Sequence, residues 1–140
     1  MVWTKETLGA MLREARERKG LDREELAELA WCSDQHLYTI ERGAADPDLW
    51  LVMDIIRAYG KEICKDGVEI GRRLAEAREL RSMSKKDVAA AAGIVPSTLT
   101  IYESGDTPPG TVCFLKICDA LSVDPMHILR VKKDDASAEC

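Results

Sequence analysis

Two histidines and five cysteines are the side chains here best suited to metal or nucleophilic chemistry, and their spacing suits neither. His36 and His127 lie far apart in different segments, with no cysteine or carboxylate beside them at metal-ligand spacing. Cys32, Cys64, Cys113, Cys118 and Cys140 include no C-x-x-C pair, and an odd count argues for reduced thiols. Cys113 and Cys118 are five apart on one helical stretch, hence on different faces, and Cys118 reads as a packing residue. There is no strand pattern to lead into a glycine-rich phosphate loop, and no nucleophile, base and acid fall into a known signature. The chain therefore reads as a non-enzyme with no metal and no cofactor.

The elements that would position any binding residues emerge from a search for internal repetition. A shift of 62 residues, without a gap, lays most of the chain on itself. Gly9, Leu12, Ala15 and Arg16 fall on Gly71, Leu74, Ala77 and Arg78. Leu26 and Ala27 fall on Val88 and Ala89, while Leu37, Glu41 and Gly43 fall on Leu99, Glu103 and Gly105. The apolar set Val52, Ile55, Ile56, Tyr59 meets Phe114, Ile117, Cys118, Leu121. The repeat predicts two small domains, 1–63 and 64–131, followed by a polar tail, 132–140.

Each copy reads as short helices divided by tight turns. The first helix of the first copy carries Leu8, Leu12 and Ala15 on one face, the stripe of an amphipathic helix, and Gly20 ends it. Asp22 with Glu25, and Ser84 with Asp87, are each an N-cap with a reciprocal acid three residues on, so a second helix starts at each. Ser33 caps a third helix in the first copy, and Pro96 opens it in the second, where the missing N–H costs nothing. Fourth helices follow Pro47 and Pro109, and only the second copy continues into a fifth, capped by Asp124 before Pro125.

Composition fits a soluble globular protein, with 46% apolar and 32% charged residues. No apolar run approaches the roughly 20 residues of a membrane span, and no signal peptide is visible, so a cytoplasmic protein is expected. The net charge of −5 does not announce a nucleic-acid partner. The acid is unevenly shared, however. Residues 1–63 hold nine basic and thirteen acidic side chains, residues 64–140 eleven and twelve.

Both copies resemble the Cro/CI-type, or XRE, helix-turn-helix family, over about residues 7–59 and 69–130. The resemblance rests on Gly-x-x-Leu-x-x-x-Arg in the first helix, Leu26-Ala27 or Val88-Ala89 in the second, and a third helix ending in Glu-x-Gly. It implies an all-α fold of tandem lambda-repressor-like helix-turn-helix domains with four to five helices each. It further implies ion pairs from Arg16 to Glu41 and from Arg78 to Glu103, spaced 25 residues apart in both copies, that fix the third helix against the first. In this family the third helix enters the major groove of double-stranded DNA and the start of the second sits on a phosphate. By position the phosphate contacts would be Arg23, Lys85 and Lys86. Base-facing positions would be Asp34, Gln35 and Thr39 in the first copy and Pro96, Ser97 and Ile101 in the second, flanked by His36 and Tyr38, and by Thr98 and Thr100.

The expected function is thus a sequence-specific DNA-binding transcriptional regulator of bacterial or phage repressor type. Gln35 can read adenine and Asp34 can accept from cytosine, but neither third helix begins with an arginine or lysine. With about two or three phosphates neutralised per unit, binding would be modest without a second unit or a dimer. The first copy is expected to be the poorer binder, since Asp34 repels a duplex unless it is hydrogen-bonded. The alternative is a protein-interaction module on the same scaffold, antitoxin-like or an anti-CRISPR or anti-restriction inhibitor, with a protein partner on the first domain. Trp50, Met53, Val112 and Leu115 exceed the core set, and are expected in a wider core, in packing between the two units, or in a homodimer interface through the region of helices four and five. Trp31 replaces Gly93 at the turn before the third helix. Either the second helix runs on through it, or Trp31 is held by packing against a neighbour.

Overall fold

The computed structural model describes residues 2–64 and 66–131; the polar tail expected at 132–140 lies outside them. All described elements are helical: α1 (Lys5–Arg18), α2 (Arg23–Leu29), α3 (Asp34–Glu41), α4 (Leu49–Ala58), α5 (Gly67–Leu80), α6 (Lys85–Ala92), α7 (Pro96–Ser104), α8 (Thr111–Leu121) and α9 (Pro125–Leu129). They form two compact units. The first runs through Lys61 and takes in Gly110–Val112, and the second begins at Glu62. None of the described helices is long and apolar enough to cross a membrane.

Local chemistry sets the helix starts. At α2 the Asp22 carboxylate accepts from the Glu25 N–H at 2.7 Å, and Glu25 accepts from the Asp22 N–H at 3.1 Å, closing a capping box. Ser33 accepts from the His36 N–H at 3.0 Å to start α3. At α6 Ser84 accepts from the Asp87 N–H at 3.0 Å, but the reciprocal bond expected from Asp87 does not form. An aspartate at that position is one methylene shorter than Glu25 and does not reach back. Pro96 opens α7, whose N-cap residue Val95 makes no side-chain bond.

In the first unit Leu8, Leu12, Leu26, Leu37, Ile40 and Ile55 make the core, and the Tyr59 hydroxyl donates to the Leu12 carbonyl at 2.8 Å. In the second, Ile70, Leu74, Val88, Leu99, Phe114 and Ile117 are buried in the same way, and α9 adds Ile128 and Leu129. Arg73, only 2% exposed, reaches the α9 end and donates from Nη1 to the carbonyls of Ile128 and Arg130 at 2.8 and 2.7 Å. The residue at the corresponding position of the first copy is Met11, and among the described residues that copy has no fifth helix to cap.

The third helix of each unit is seated by a glycine. A Cβ on Gly9 would lie 2.3 Å from the Ile40 carbonyl oxygen, and one on Gly71 would lie 2.4 Å from that of Glu103. No side chain fits there, so α1 meets the end of α3 backbone to backbone, and α5 meets α7 likewise. The copies differ at the turn that needs glycine for its backbone angle: Gly93 ends α6 at φ 73°. Trp31 adopts nearly the same left-handed conformation, φ 60°, and is 91% exposed. Both expectations for it are therefore corrected, since α2 stops at Leu29 and the indole stands almost wholly in solvent. The C-terminal hydrogen bonds of the turn, Cys32 N–H to the Ala27 carbonyl at 3.0 Å among them, hold the backbone in that shape whatever the side chain. Left-handed backbone costs a non-glycine residue about 1–2 kcal/mol, partly offset by the greater unfolded-state entropy of glycine. Trp31→Gly should accordingly raise the urea midpoint of the first unit, by an amount equivalent to up to about 1 kcal/mol. A lowered midpoint would mean that the indole makes a stabilising contact.

Met53, Val112 and Leu115 are buried and Trp50 is half-buried.

Candidate nucleic-acid interface

In the first unit, Arg23 opens α2 and Asp34 opens α3, and the turn between them brings the two side chains together. Arg23 Nε donates to Asp34 Oδ1 at 2.6 Å and Nη2 donates to Oδ2 at 3.2 Å, a two-pronged pair. The hydrogen bond from Arg23 holds the Asp34 carboxyl below the usual carboxylate range, and the same bond raises the guanidinium. Asp34 thus meets no uncompensated repulsion, and Arg23 is not a free cation. The Tyr38 ring lies 4.9 Å from the Arg23 guanidinium carbon and 5.5 Å from that of Arg42. Beneath them Arg16 donates to both Glu41 oxygens at 2.7 and 3.0 Å, and to the Leu21 carbonyl at 2.9 Å. This pair joins α1, the turn before α2, and the end of α3.

The second unit keeps the frame and changes the surface. Arg78 donates to both Glu103 oxygens at 2.8 and 3.1 Å and to the Met83 carbonyl at 3.2 Å. Lys85, at the place of Arg23, donates to the Thr100 hydroxyl at 3.0 Å, and that hydroxyl donates to the Pro96 carbonyl at 3.2 Å. A hydroxyl leaves the ammonium charge uncompensated, whereas Asp34 cancels that of Arg23. Lys86 is exposed beside Lys85.

The structure brings the named residues onto two separate faces, one per unit. Gln35 and His36 are exposed on α3, and the half-buried Thr39 turns its hydroxyl back to the Gln35 carbonyl at 3.0 Å. Pro96, Ser97, Thr100 and Ile101 are exposed on α7, with Thr98 half-buried. Sequence reasoning missed the coupling of Arg23 to Asp34 and the approach of Arg42 to Tyr38. The available signal was the offset itself, which puts Lys85, Pro96, Thr100 and Ser104 where the first copy has Arg23, Asp34, Tyr38 and Arg42. Among the described residues no group of three or more His, Cys, Asp or Glu is placed to hold a metal ion.

The family model described as "Helix-turn-helix domain" matches residues 7–61 and again 69–129. Among curated proteins none matches. Among solved structures, the restriction-modification controller protein C.AhdI from Aeromonas hydrophila is 30% identical, with 45% of this chain covering 96% of that one at a TM-score of 0.44. The double family match spans most of the sequence, and the chain belongs to the helix-turn-helix domain family.

Proposed function

We propose that this protein is a sequence-specific transcriptional regulator of bacterial or phage repressor type, acting without catalysis in the cytoplasm through two modules, 1–63 and 64–131. The second module makes most of the DNA contacts. One observation carries this assignment: Lys85 faces a neutral hydroxyl, while its counterpart Arg23 is tied to a carboxylate. In this reading α7 lies in the major groove with Ser97 and Ile101 toward base edges, and Lys85 and Lys86 hold phosphates beside it. Gln35, His36 and Thr39 give the first module a weaker polar face.

Lys85→Ala should weaken binding to every duplex alike, on the order of tenfold, because it removes a charge-assisted phosphate contact. The slope of log affinity against log salt should fall by about one. Fluorescence anisotropy with a duplex selected from a random pool measures both. Recovery of no duplex from the pool at low salt would reject DNA binding. A second reading, in which the first module engages a protein, is favoured by the fully exposed indole of Trp31 on a unit with excess acid. A shift of Trp31 fluorescence with a protein partner and none with the selected duplex would support it.

A further inference from the structure

Apolar surface is left in water at one corner of the first unit. Trp31, 91% exposed, stands one turn beyond Glu28, whose carbonyl accepts the Trp31 N–H at 3.4 Å, and Leu29 between them is 53% exposed. The indole is held there by a turn whose backbone favours glycine. The second unit shows that the frame needs neither side chain. At the offset of 62 residues, Ala91 stands for Leu29 and Gly93 for Trp31, and Gly93 keeps the same left-handed backbone.

The charge beside this corner also differs between the copies. α2 carries Glu24, Glu25 and Glu28, all exposed, against one arginine, Arg23, which Asp34 already engages. Glu25 belongs to the capping box. Glu24 and Glu28 are four apart on one helix face, and neither makes an ion pair among the described residues. The matching positions of α6 are Lys86 and Ala90. On α4, Asp54 lies near enough to act on the Cys32 thiol, which burial first and this carboxylate second push up, but Asp54 is itself paired with Arg57 at 3.3 Å. The uncompensated charge next to Trp31 is therefore that of α2, and it is negative.

This pattern selects among partners. A duplex backbone or an anionic membrane would bring phosphates toward Glu24 and Glu28 and be repelled. A cation is drawn to the same carboxylates, and the face of an indole is the best aromatic seat for a guanidinium or an ammonium. Tryptophan is also among the residues that anchor protein interfaces most strongly. We infer that Leu29 and Trp31, with Glu24 and Glu28 beside them, dock a basic segment of a partner protein. An arginine or lysine of that segment lies over the indole, and an apolar neighbour covers Leu29. The inference rests on the reading in which the first module engages a protein, and it supplies the chemistry of that partner.

The test uses the full-length chain and a capped octapeptide alternating arginine and leucine. Nitrogen-15 and proton NMR follows the indole N–H signals of Trp3, Trp31 and Trp50 separately, and anisotropy of the labelled peptide gives the affinity. A saturating shift of the Trp31 indole is expected, with Trp3 and Trp50 unmoved. Trp31→Gly, which suits the local backbone, should weaken binding about fivefold or more, and Glu28→Gln about twofold. Glu79→Gln, which removes an exposed acid of the second unit, should change nothing. Undiminished binding by Trp31→Gly, or a shift that does not saturate, would overturn the dock. An equal Trp31 shift with a peptide alternating glutamine and leucine would overturn the basic chemistry and keep a protein partner. So would silence toward the arginine peptide together with a Trp31 response to a protein. A Trp31 shift with the selected duplex alone, or with phosphatidylserine vesicles alone, would overturn both the dock and the reading on which it rests.

Discussion

Replacing Glu41 with alanine should lower the stability of the first unit by about 3–5 kcal/mol, because it strands the Arg16 guanidinium at a largely buried site. The Glu41 side chain is 5% exposed and that of Arg16 is 11%. A domain of about 60 residues holds only some 3–5 kcal/mol in total, so the loss is of the same size as the unit's whole stability. Exchange of the amides of α1 and α3 with heavy water would then approach the rate of an open chain. The origin of the loss can be checked by removing both charges. Glu41→Leu combined with Arg16→Met should recover most of it, since apolar replacement of a buried pair is often neutral. A single-variant loss under about 1 kcal/mol would be that of a solvated surface pair and would contradict the burial described here.

The second large effect is steric. A methyl group added in Gly71→Ala would meet the Glu103 carbonyl oxygen at 2.4 Å, its carbon at 2.8 Å and the Tyr102 oxygen at 2.9 Å. All three are backbone atoms, so no side chain can swing aside, and α5 must separate from α7. Alanine within a helix gains about 1 kcal/mol over glycine by propensity. Overpacking costs about 1–3 kcal/mol where flexible side chains can yield, and here the cost should lie at or above the upper end. The net result should be a melting temperature lower by about 10 °C or more, read by circular dichroism. DNA affinity should fall further than the folded fraction accounts for, because the displaced element is the one that carries Ser97 and Ile101. A melt unchanged or raised would show that the close approach of α5 and α7 is not obligatory.

Most of the helical architecture could be read from the chain because its determinants are local. Asp22 with Glu25, Ser33, and Pro125 after Asp124 each fix a helix start within three residues, and the 62-residue repeat supplied a second copy of the pattern. The Arg16 and Glu41 spacing of 25 occurs twice, and the structure holds both pairs. What could not be read depends on geometry between elements or on small differences in length. Asp87 misses its return bond by one methylene. Arg23 and Asp34 are eleven residues apart on two helices whose crossing angle no local rule provides. Trp31 defied propensity, since an exposed tryptophan in left-handed backbone follows from neither packing nor preference, only from the turn that its neighbours impose. The apolar surplus of Trp50, Met53, Val112 and Leu115 was visible in the sequence, but its destination was not.

The pair of Arg23 and Asp34 also sets a threshold. Any phosphate that approaches Arg23 finds a carboxylate already in place, a tethered competitor that cannot diffuse away. Intramolecular groups of this kind act at effective concentrations of the order of millimolar or more. Sparse or transient anions lose that contest, and only one held in register by other contacts displaces Asp34. In the proposed reading the first unit therefore answers to a polyanion only once the second unit has captured it.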